Sequence, residues 1–416
     1  MPFSSLGLSP ALVRAVGELG FATPTPIQAQ AIPAILRGAD VLGCAQTGSG
    51  KTAAFALPLL QLLEAGRRHT PRRVRALVLV PTRELAAQVG EVMRGLAKDL
   101  PQPPKIAVVF GGVSINPQMM GLRGGADVVV ATPGRLLDLM EHNALKLSAV
   151  SMLVLDEADR LLDLGFAEEL KRVLTLLPQQ RQTLLFSATF PPAVQALAEG
   201  LLREPARVHV AATPANEPGI LQRVIQVDAS RRTELLRHLI KDSAWDRVLV
   251  FVATRYAAGH VAWKLYKTGI FATPFHGDLS QGARKQVLAE FKDGQWDVLV
   301  TTDLASRGID IAQLPVVVTY DLPRSAVDYV HRIGRTGRAG ESGLAISFVS
   351  ADTEAHFRLI EKRQHLSLPP EQIPGFEPAE VEADAKTATA PGTGGIKGKR
   401  PSKKDKLRAA AARGAS

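Results

Sequence analysis

Eight residues, Ala45-Gln46-Thr47-Gly48-Ser49-Gly50-Lys51-Thr52, follow the apolar run "DVLGC" and precede the helical stretch "AAFALPLLQLL". A glycine-rich turn between a strand and a helix aims backbone N–H groups at an anion, and the positive end of the helix dipole adds to the attraction. Lys51 would reach the β- and γ-phosphates of a nucleoside triphosphate, and Thr52 would offer its hydroxyl to Mg2+. The phosphate-loop pattern has glycine where this chain has Ala45, so the Lys-Thr pair is what sets the segment apart from an ordinary strand-to-helix turn.

A second string, "VLDEADRLLDLGF", places Asp156, Glu157 and Asp159 at the end of an apolar run. In an open α/β sheet, ligands sit beyond the carboxyl ends of the strands. There Asp156 could join a Mg2+ shell through water, and Glu157 could orient and deprotonate an attacking water. Acids that merely stabilise the first turn of a helix would read the same way in isolation. Upstream, "GFATPTPIQ" ends at Gln28, whose amide can donate to and accept from the adenine edge at once. Phe21 offers a stacking surface for that ring, and Phe3 a buttress behind it. A third string, "HRIGRTGR", puts three guanidiniums and a histidine into eight positions broken by two glycines. Guanidinium forks pair with phosphate or carboxylate, and the glycines let the backbone turn beside the ligand.

These side chains need scaffolds to hold them. Six short aliphatic runs, "DVLGCA", "ALVLVP", "IAVVFG", "DVVVAT", "MLVLDE" and "TLLFSAT", alternate with helical stretches such as "ELAAQVGEVMRGLAKDL". Continuous apolar strands alternating with helices indicate a parallel sheet covered on both faces. The pattern restarts with "RVLVFVAT", "ATPFHG", "DVLVTT", "VVVTYD" and "LAISFVS". The reading is two α/β domains, 1–211 and 221–365, joined by a linker at 212–220 within "AATPANEPGI". From 366 the chain turns Pro- and acid-rich, then Gly/Ala/Lys-rich, and a disordered tail at 366–416, basic from about 397, is the expectation.

Composition narrows the partners. The formal net charge is +10, and the last segment alone carries Lys397, Lys399, Arg400, Lys403, Lys404, Lys406, Arg408 and Arg413 against Asp405, or 8 − 1 = +7. A polyanion such as nucleic acid is the first reading of that tail, and a solubilising role the second. A single cysteine, Cys44, excludes an internal disulfide framework and a cysteine-based zinc site, and fits a reducing cytoplasm. No apolar run reaches the roughly 20 residues that cross a bilayer, and no signal peptide is evident at the N-terminus.

Taken together, "GFATPTPIQ", "AQTGSGKT", "PTRELAAQ", "ATPGR", "DEAD", "SAT", "HGDLSQGAR", "TTDLASRGID" and "HRIGRTGR" resemble, in order and spacing, the DEAD-box RNA helicases, most of all their bacterial RhlE-type branch. The resemblance implies two tandem RecA-like parallel-sheet domains, ATP with Mg2+, and RNA gripped by its backbone without sequence readout. It implies that Arg335 and Arg338 are arginine fingers reaching the γ-phosphate of ATP held by Lys51, and that Asp310 contacts the ribose. Asp159, Ser187, Thr189 and His331 would link hydrolysis to domain docking. Arg83, Gly112, Thr132 and Arg135 in the first domain, with Gly277, Gln281, Arg284, Thr302, Arg307 and Gly308 in the second, would contact RNA phosphates and sugars. The low aromatic content, 5%, argues against a stacking platform. Ribosome-assembly or RNA-decay proteins are the partners the family implies, and a cytoplasmic monomer the expected state. A DNA helicase or translocase, and an ATP-gated RNA clamp, are the rival readings.

If the basic tail tethers RNA electrostatically, truncation after about residue 365 should flatten the salt dependence of RNA binding. Each lost phosphate contact removes about 0.7 from the slope on single strands. Filter binding across a salt series checks this; an unchanged slope would assign the tail to another partner.

Overall fold

The computed structural model describes residues 2–45, 48–66, 69–210, 219–306, 314–337 and 343–379. Gln46, Thr47, Arg307, Gly308, Asp310 and Arg338, most of the expected linker, and the tail from 380 onward lie outside the described residues.

Two sheets of seven strands organise the chain. The first contains β1 (Val41–Cys44), β2 (Ala76–Leu79), β3 (Ile106–Val109), β4 (Val128–Ala131), β5 (Met152–Leu155), β6 (Gln182–Ser187) and β7 (Ala206–His209). The second contains β8 (Ile220–Gln226), β9 (Val248–Phe251), β10 (Ala272–Phe275), β11 (Val298–Thr301), β12 (Val316–Thr319), β13 (Gly343–Val349) and β14 (Pro370–Glu371). Strand order is β3-β4-β2-β5-β6-β1-β7 in one and β10-β11-β9-β12-β13-β8-β14 in the other. Adding seven to each number of the first order gives the second, so the lobes share one topology. Every strand pairing is parallel, for example Leu79 with both Ala131 and Leu155.

Helices cover both faces of each sheet, which is why the central strands are aliphatic throughout: every residue of β2, β4, β5, β9, β11 and β12 is buried. One face of the first sheet packs Ile27, Phe55 and Phe186 with the helices Pro26–Leu36 and Lys51–Ala65; the other packs Leu136, Leu161 and Val173. Among the described residues, no helix is long and apolar enough to cross a membrane.

The aliphatic runs of the sequence became β1–β6 and β9–β13. The strands that reading passed over are β7, β8 and β14. β7 and β14 lie at sheet edges, and "ARVH" and "ILQRVIQ" mix polar with apolar residues because only part of each is covered.

The expectation of disorder from 366 needs correction. Residues 366–379 pack on the second lobe: β14 pairs with β8, Arg223 makes a bidentate contact to Glu371 (2.7 Å at its shortest), and Ile373 and Phe376 join the core cluster. Phe376 lies under the Arg231 guanidinium at 4.9 Å and stacks on His238 at 5.3 Å, while Ala379 N–H donates to Asp228 at 3.0 Å. The prolines and acids that suggested a tail are those of an edge strand, where Pro is tolerated and a carboxylate can meet a neighbouring arginine.

Removing residues 366–379 should therefore destabilise the second lobe by about 2 kcal/mol or more, since a partly buried aromatic and a paired carboxylate are lost together. The chain ending at 365 should melt roughly 5 °C earlier than the full chain, and one ending at 379 with it. Calorimetry on the three lengths checks this.

Candidate active site and nucleic-acid interface

Strand order decides which loops meet. β5, β6 and β1 are neighbours, so the turns after them bring the Asp156–Asp159 acids, Ser187-Ala188-Thr189 and the phosphate loop to one end of the sheet. β3, β4 and β2 form the other half, and the turns after them carry Gly112, Thr132 with Arg135, and Arg83. The second lobe repeats the division. β10 and β11 lead to Gly277, Gln281, Arg284 and Thr302, while the helix Ala326–Ile333 after β12 leads to His331 and Arg335.

Around the phosphate loop, Gly48 and Gly50 take the left-handed backbone at φ +82° and +91°. A Cβ on Gly50 would come within 2.4 Å of Gln28 Nε2, so glycine is required there twice over. Gln28 is buried, donates from Nε2 to the Gly50 carbonyl at 3.1 Å, and accepts from Thr25 N–H at 3.0 Å. The amide expected to read adenine is thus also a strut of the loop, with one N–H and one lone pair left over. Phe21 is exposed, as a stacking surface requires, and Phe3 is buried. Buried Lys51 donates to the Ala45 carbonyl at 2.7 Å, and the Ser49 hydroxyl is buried without a hydrogen-bond partner.

Asp156 is buried against this loop. Burial pushes its carboxyl up to about 7, with Lys51 pulling it down and Glu157 pushing it further up. Glu157 sits in left-handed backbone at φ 52°, its N–H donating to Asp156 at 2.9 Å. Its Oε2 is buried without a hydrogen bond, 3.7 Å from Arg160 Nε. Asp159 accepts from both the N–H (3.0 Å) and the hydroxyl (2.7 Å) of Thr189; its own N–H donates to Ser187 Oγ (3.2 Å), which donates to the Thr189 carbonyl (2.8 Å). The structure therefore brings Asp159, Ser187 and Thr189 together.

These donors fit a hydrated divalent cation that shares its shell with a triphosphate. Among the described residues, no group of three or more His, Cys, Asp or Glu side chains could hold a metal alone. Mg2+ normally takes one or two carboxylates and completes its shell with water and substrate phosphate, and a buried carboxyl held near neutral is a ready ligand for it. By contrast, the cavity of about 560 Å³ beside β7 and the helix Pro192–Leu201 is lined by Cys44, Phe190, Glu199, Val208 and His209 and not by Lys51, Asp156, Glu157 or Asp159. The Cys44 thiol is pushed up by burial, which suits packing rather than nucleophilic chemistry.

The two lobes touch at both halves of the cleft. On the nucleotide side, Arg160 lies 4.0 Å from Asp328, and a narrow crevice is lined by Arg160, Asp303, Asp328, His331, Arg332 and Arg335. The guanidiniums of "HRIGRTGR" divide their labour. Arg332 is fully buried and grips Asp303 with two bonds of 2.6 and 2.7 Å, over the Phe251 ring, and Arg335, also buried, lines the crevice beside it. On the other side, one oxygen of Glu84 accepts from Arg83 at 3.0 Å and lies 3.2 Å from Arg284 of the second lobe.

Of the expected RNA contacts, Arg284 is buried, also donates to the Ala305 carbonyl at 3.1 Å, and is held below its ordinary pKa by burial, with Glu84 opposing. Arg135 donates to the Val113 carbonyl at 2.7 Å, while its Nε and NH1 make no hydrogen bond. Thr132 accepts from Gly111 N–H at 3.3 Å, and Gln281 Oε1 is buried without a partner. Gly112 has φ +77°, and a Cβ there would press on Arg83 at 2.9 Å. Gly277 is exposed and Thr302 buried. Sequence reasoning missed Glu84, Arg160, Asp303 and Asp328. All four lie inside or beside quoted motifs, but only the packed lobes show which arginine each acid faces.

Comparison with known proteins agrees with this geometry. Residues 25–197 match the DEAD/DEAH box helicase family and residues 231–340 the helicase conserved C-terminal domain. The chain is 42% identical over 386 residues to the ATP-dependent RNA helicase DeaD of Mycobacterium tuberculosis, covering 93% of this chain and 67% of that one. That relative supports the family rather than the RhlE-type branch in particular. Among solved structures, S. cerevisiae Dbp5 bound to RNA and ADP BeF3 is 32% identical, covers 89% of this chain and 95% of its own, and superposes with a TM-score of 0.77. A DEAD box protein from the hyperthermophile Methanococcus jannaschii is 37% identical over 89% of this chain and 99% of its own, with a TM-score of 0.53.

The buried Asp156 makes stability depend on pH. In the unfolded chain its proton leaves near the ordinary 3.8, and in the ligand-free fold near 7. The fold therefore binds more protons between those values, and the stability this group contributes is lost as pH rises through about 7. From pH 5 to pH 8 the wild type should lose about 2 kcal/mol relative to Asp156→Asn. Melting curves without nucleotide at the two pH values check this, with Asp156→Asn the more stable protein at pH 8.

Proposed function

The chain belongs to the DEAD/DEAH box helicase family, and from that premise we propose an ATP-dependent RNA helicase that hydrolyses ATP when closure of its lobes completes the site. The observation that carries this is the crevice in which Arg160, at the start of the helix after β5, faces Asp328, His331 and Arg335 of the second lobe. The TM-score of 0.77 with Dbp5 bound to RNA and ADP BeF3 supports a closed arrangement of the two lobes.

In this reading the phosphate loop cradles the β- and γ-phosphates and the Lys51 ammonium exchanges the Ala45 carbonyl for phosphate oxygen. Asp156 and Thr52 would hold Mg2+, which would supply positive charge to offset that of the triphosphate. Glu157, whose buried oxygen has no hydrogen bond, orients the attacking water and takes its proton. Water adds to the γ-phosphorus, the β–γ bridging bond breaks, and ADP and phosphate leave. Arg335, with Arg338 beyond the described residues, stabilises the charge that develops. Asp159, Ser187 and Thr189 transmit that event to His331.

RNA lies along the opposite half of the cleft. Arginines, threonine hydroxyls and glycine amides there suit phosphate and ribose, so binding positions a strand without reading bases. ATP and RNA each bridge the same two lobes, so each tightens the other, because the coupling is reciprocal. A duplex strand bent to fit the closed cleft loses stacking, and its partner strand dissociates. On family grounds the proposal extends to ribosome-assembly or RNA-decay proteins as partners of a cytoplasmic monomer.

Arg335→Ala should lower RNA-saturated ATP turnover by about 10³. Glu157→Gln should abolish turnover while keeping ATP-dependent RNA binding. Steady-state ATPase assays with single-stranded RNA, and with DNA of the same sequence, check both; equal stimulation by DNA would favour a DNA translocase, since the 2′-OH is the difference.

A further inference from the structure

The helix Arg255–Tyr266 presents a feature that the cleft does not use. The chain has 3 Trp and 4 Tyr in 416 residues, yet this one helix exposes Tyr256 (80%), Trp263 (53%) and Tyr266 (56%), with Phe271 (57%) just beyond. Its packing face is a different one, made of Ala258, Val261, Ala262 and Leu265, so the aromatic face adds nothing to the core. Large exposed apolar patches of this kind mark binding surfaces.

The rings are ordered. Tyr256, His260, Trp263 and Lys267 recur at helical spacing and form one stripe. Tyr256 and His260 lie 5.7 Å apart at 12°, His260 and Trp263 6.4 Å apart at 21°, and the Lys267 ammonium sits 4.0 Å over the Trp263 ring. The helix contains no acid, while Arg255, Lys264 and neighbouring Lys267 supply cations. Aromatic faces interleaved with cations are what single-stranded nucleic acid stacks on.

Position selects the ligand. The helix follows β9, beside β10 and β11 in the RNA half of the sheet, and Arg255 pairs with Asp278, next to Gly277 on the proposed RNA path. We propose that this face is a second RNA site, stacking the bases of a single strand where it leaves the cleft. From Arg255 to Lys267 the helix rises about 18 Å, room for about five nucleotides at roughly 3.4 Å each. The site rests on the helicase reading above. It also revises the expectation, drawn from low aromatic content, that no stacking platform exists: few aromatics suffice when they are gathered on one helix.

The test compares, in the full chain, a short oligouridine that fills only the cleft with one about five nucleotides longer. The wild type should bind the longer oligomer roughly tenfold more tightly. Tyr256→Ala with Trp263→Ala should abolish that gain while leaving short-oligomer affinity and short-oligomer-stimulated ATPase unchanged. Trp263→Phe should keep most of the gain, and Lys264→Gln should lower the salt slope for the longer oligomer by about 0.7. A gain that survives the double substitution overturns the second site alone, as does a double variant that loses a protein partner but not the gain. A wild type that binds neither oligomer overturns the helicase reading as well.

Discussion

A carboxyl group in a dry pocket gives up its proton reluctantly, and Asp156 is such a group. Its surroundings are a compromise: Lys51 lies near enough to favour the charge, Glu157 and Asp159 near enough to oppose it, and burial against β5 tips the balance toward the proton. Lys51 alone does not restore an ordinary carboxylate, so further positive charge at this site would favour ionisation. A metal and a triphosphate would enter together and settle the local charge, and the guanidiniums of the second lobe would answer the phosphate from the far side. Much of the architecture can be read as the means of keeping that pocket dry while leaving one wall movable.

The shared strand order of the two lobes shows how one scaffold yields a machine with unlike halves. In the first lobe β1 feeds a phosphate loop; the corresponding β8 feeds Asp228-Ala229-Ser230-Arg231, with no glycine turn. Among the described residues, the second lobe brings Arg332 and Arg335 to the crevice. In the proposed function the first sheet also divides by strand: β5, β6 and β1 end at the expected triphosphate site, and β3, β4 and β2 at the expected nucleic-acid face. Where the lobes meet on that face, Glu84 holds Arg83 and Arg284 with a single oxygen, a carboxylate standing where an RNA phosphate would compete for the same guanidiniums.

Much of this was legible in the residues. Buried parallel strands are aliphatic throughout, so β1–β6 and β9–β13 announce themselves, and a phosphate loop or an Asp-Glu-Ala-Asp string needs specific residue types at fixed spacing. What escaped was whatever depends on partial burial or on the meeting of distant segments. β7, β8 and β14 have one covered side and mixed composition. The residues around Phe376 read as tail because their partners, Arg231 and His238, lie far away in sequence. The Glu84–Arg284 pair and the bidentate Arg332–Asp303 contact join motifs that no local pattern connects. Composition is also blind to the exposed aromatics of the helix Arg255–Tyr266, because an average over the chain conceals a cluster.

The strap formed by β14 has a mechanical meaning. β14 is stitched to β8 at Val224 and Ile225, a few residues past the point where the connection from the first lobe enters the second. Anything that grips the chain beyond residue 379 therefore pulls first on the contacts of Ala379 with Asp228 and of Phe376 with Arg231 and His238. Tension along the tail would then be borne first by contacts within the second lobe rather than by any in the first.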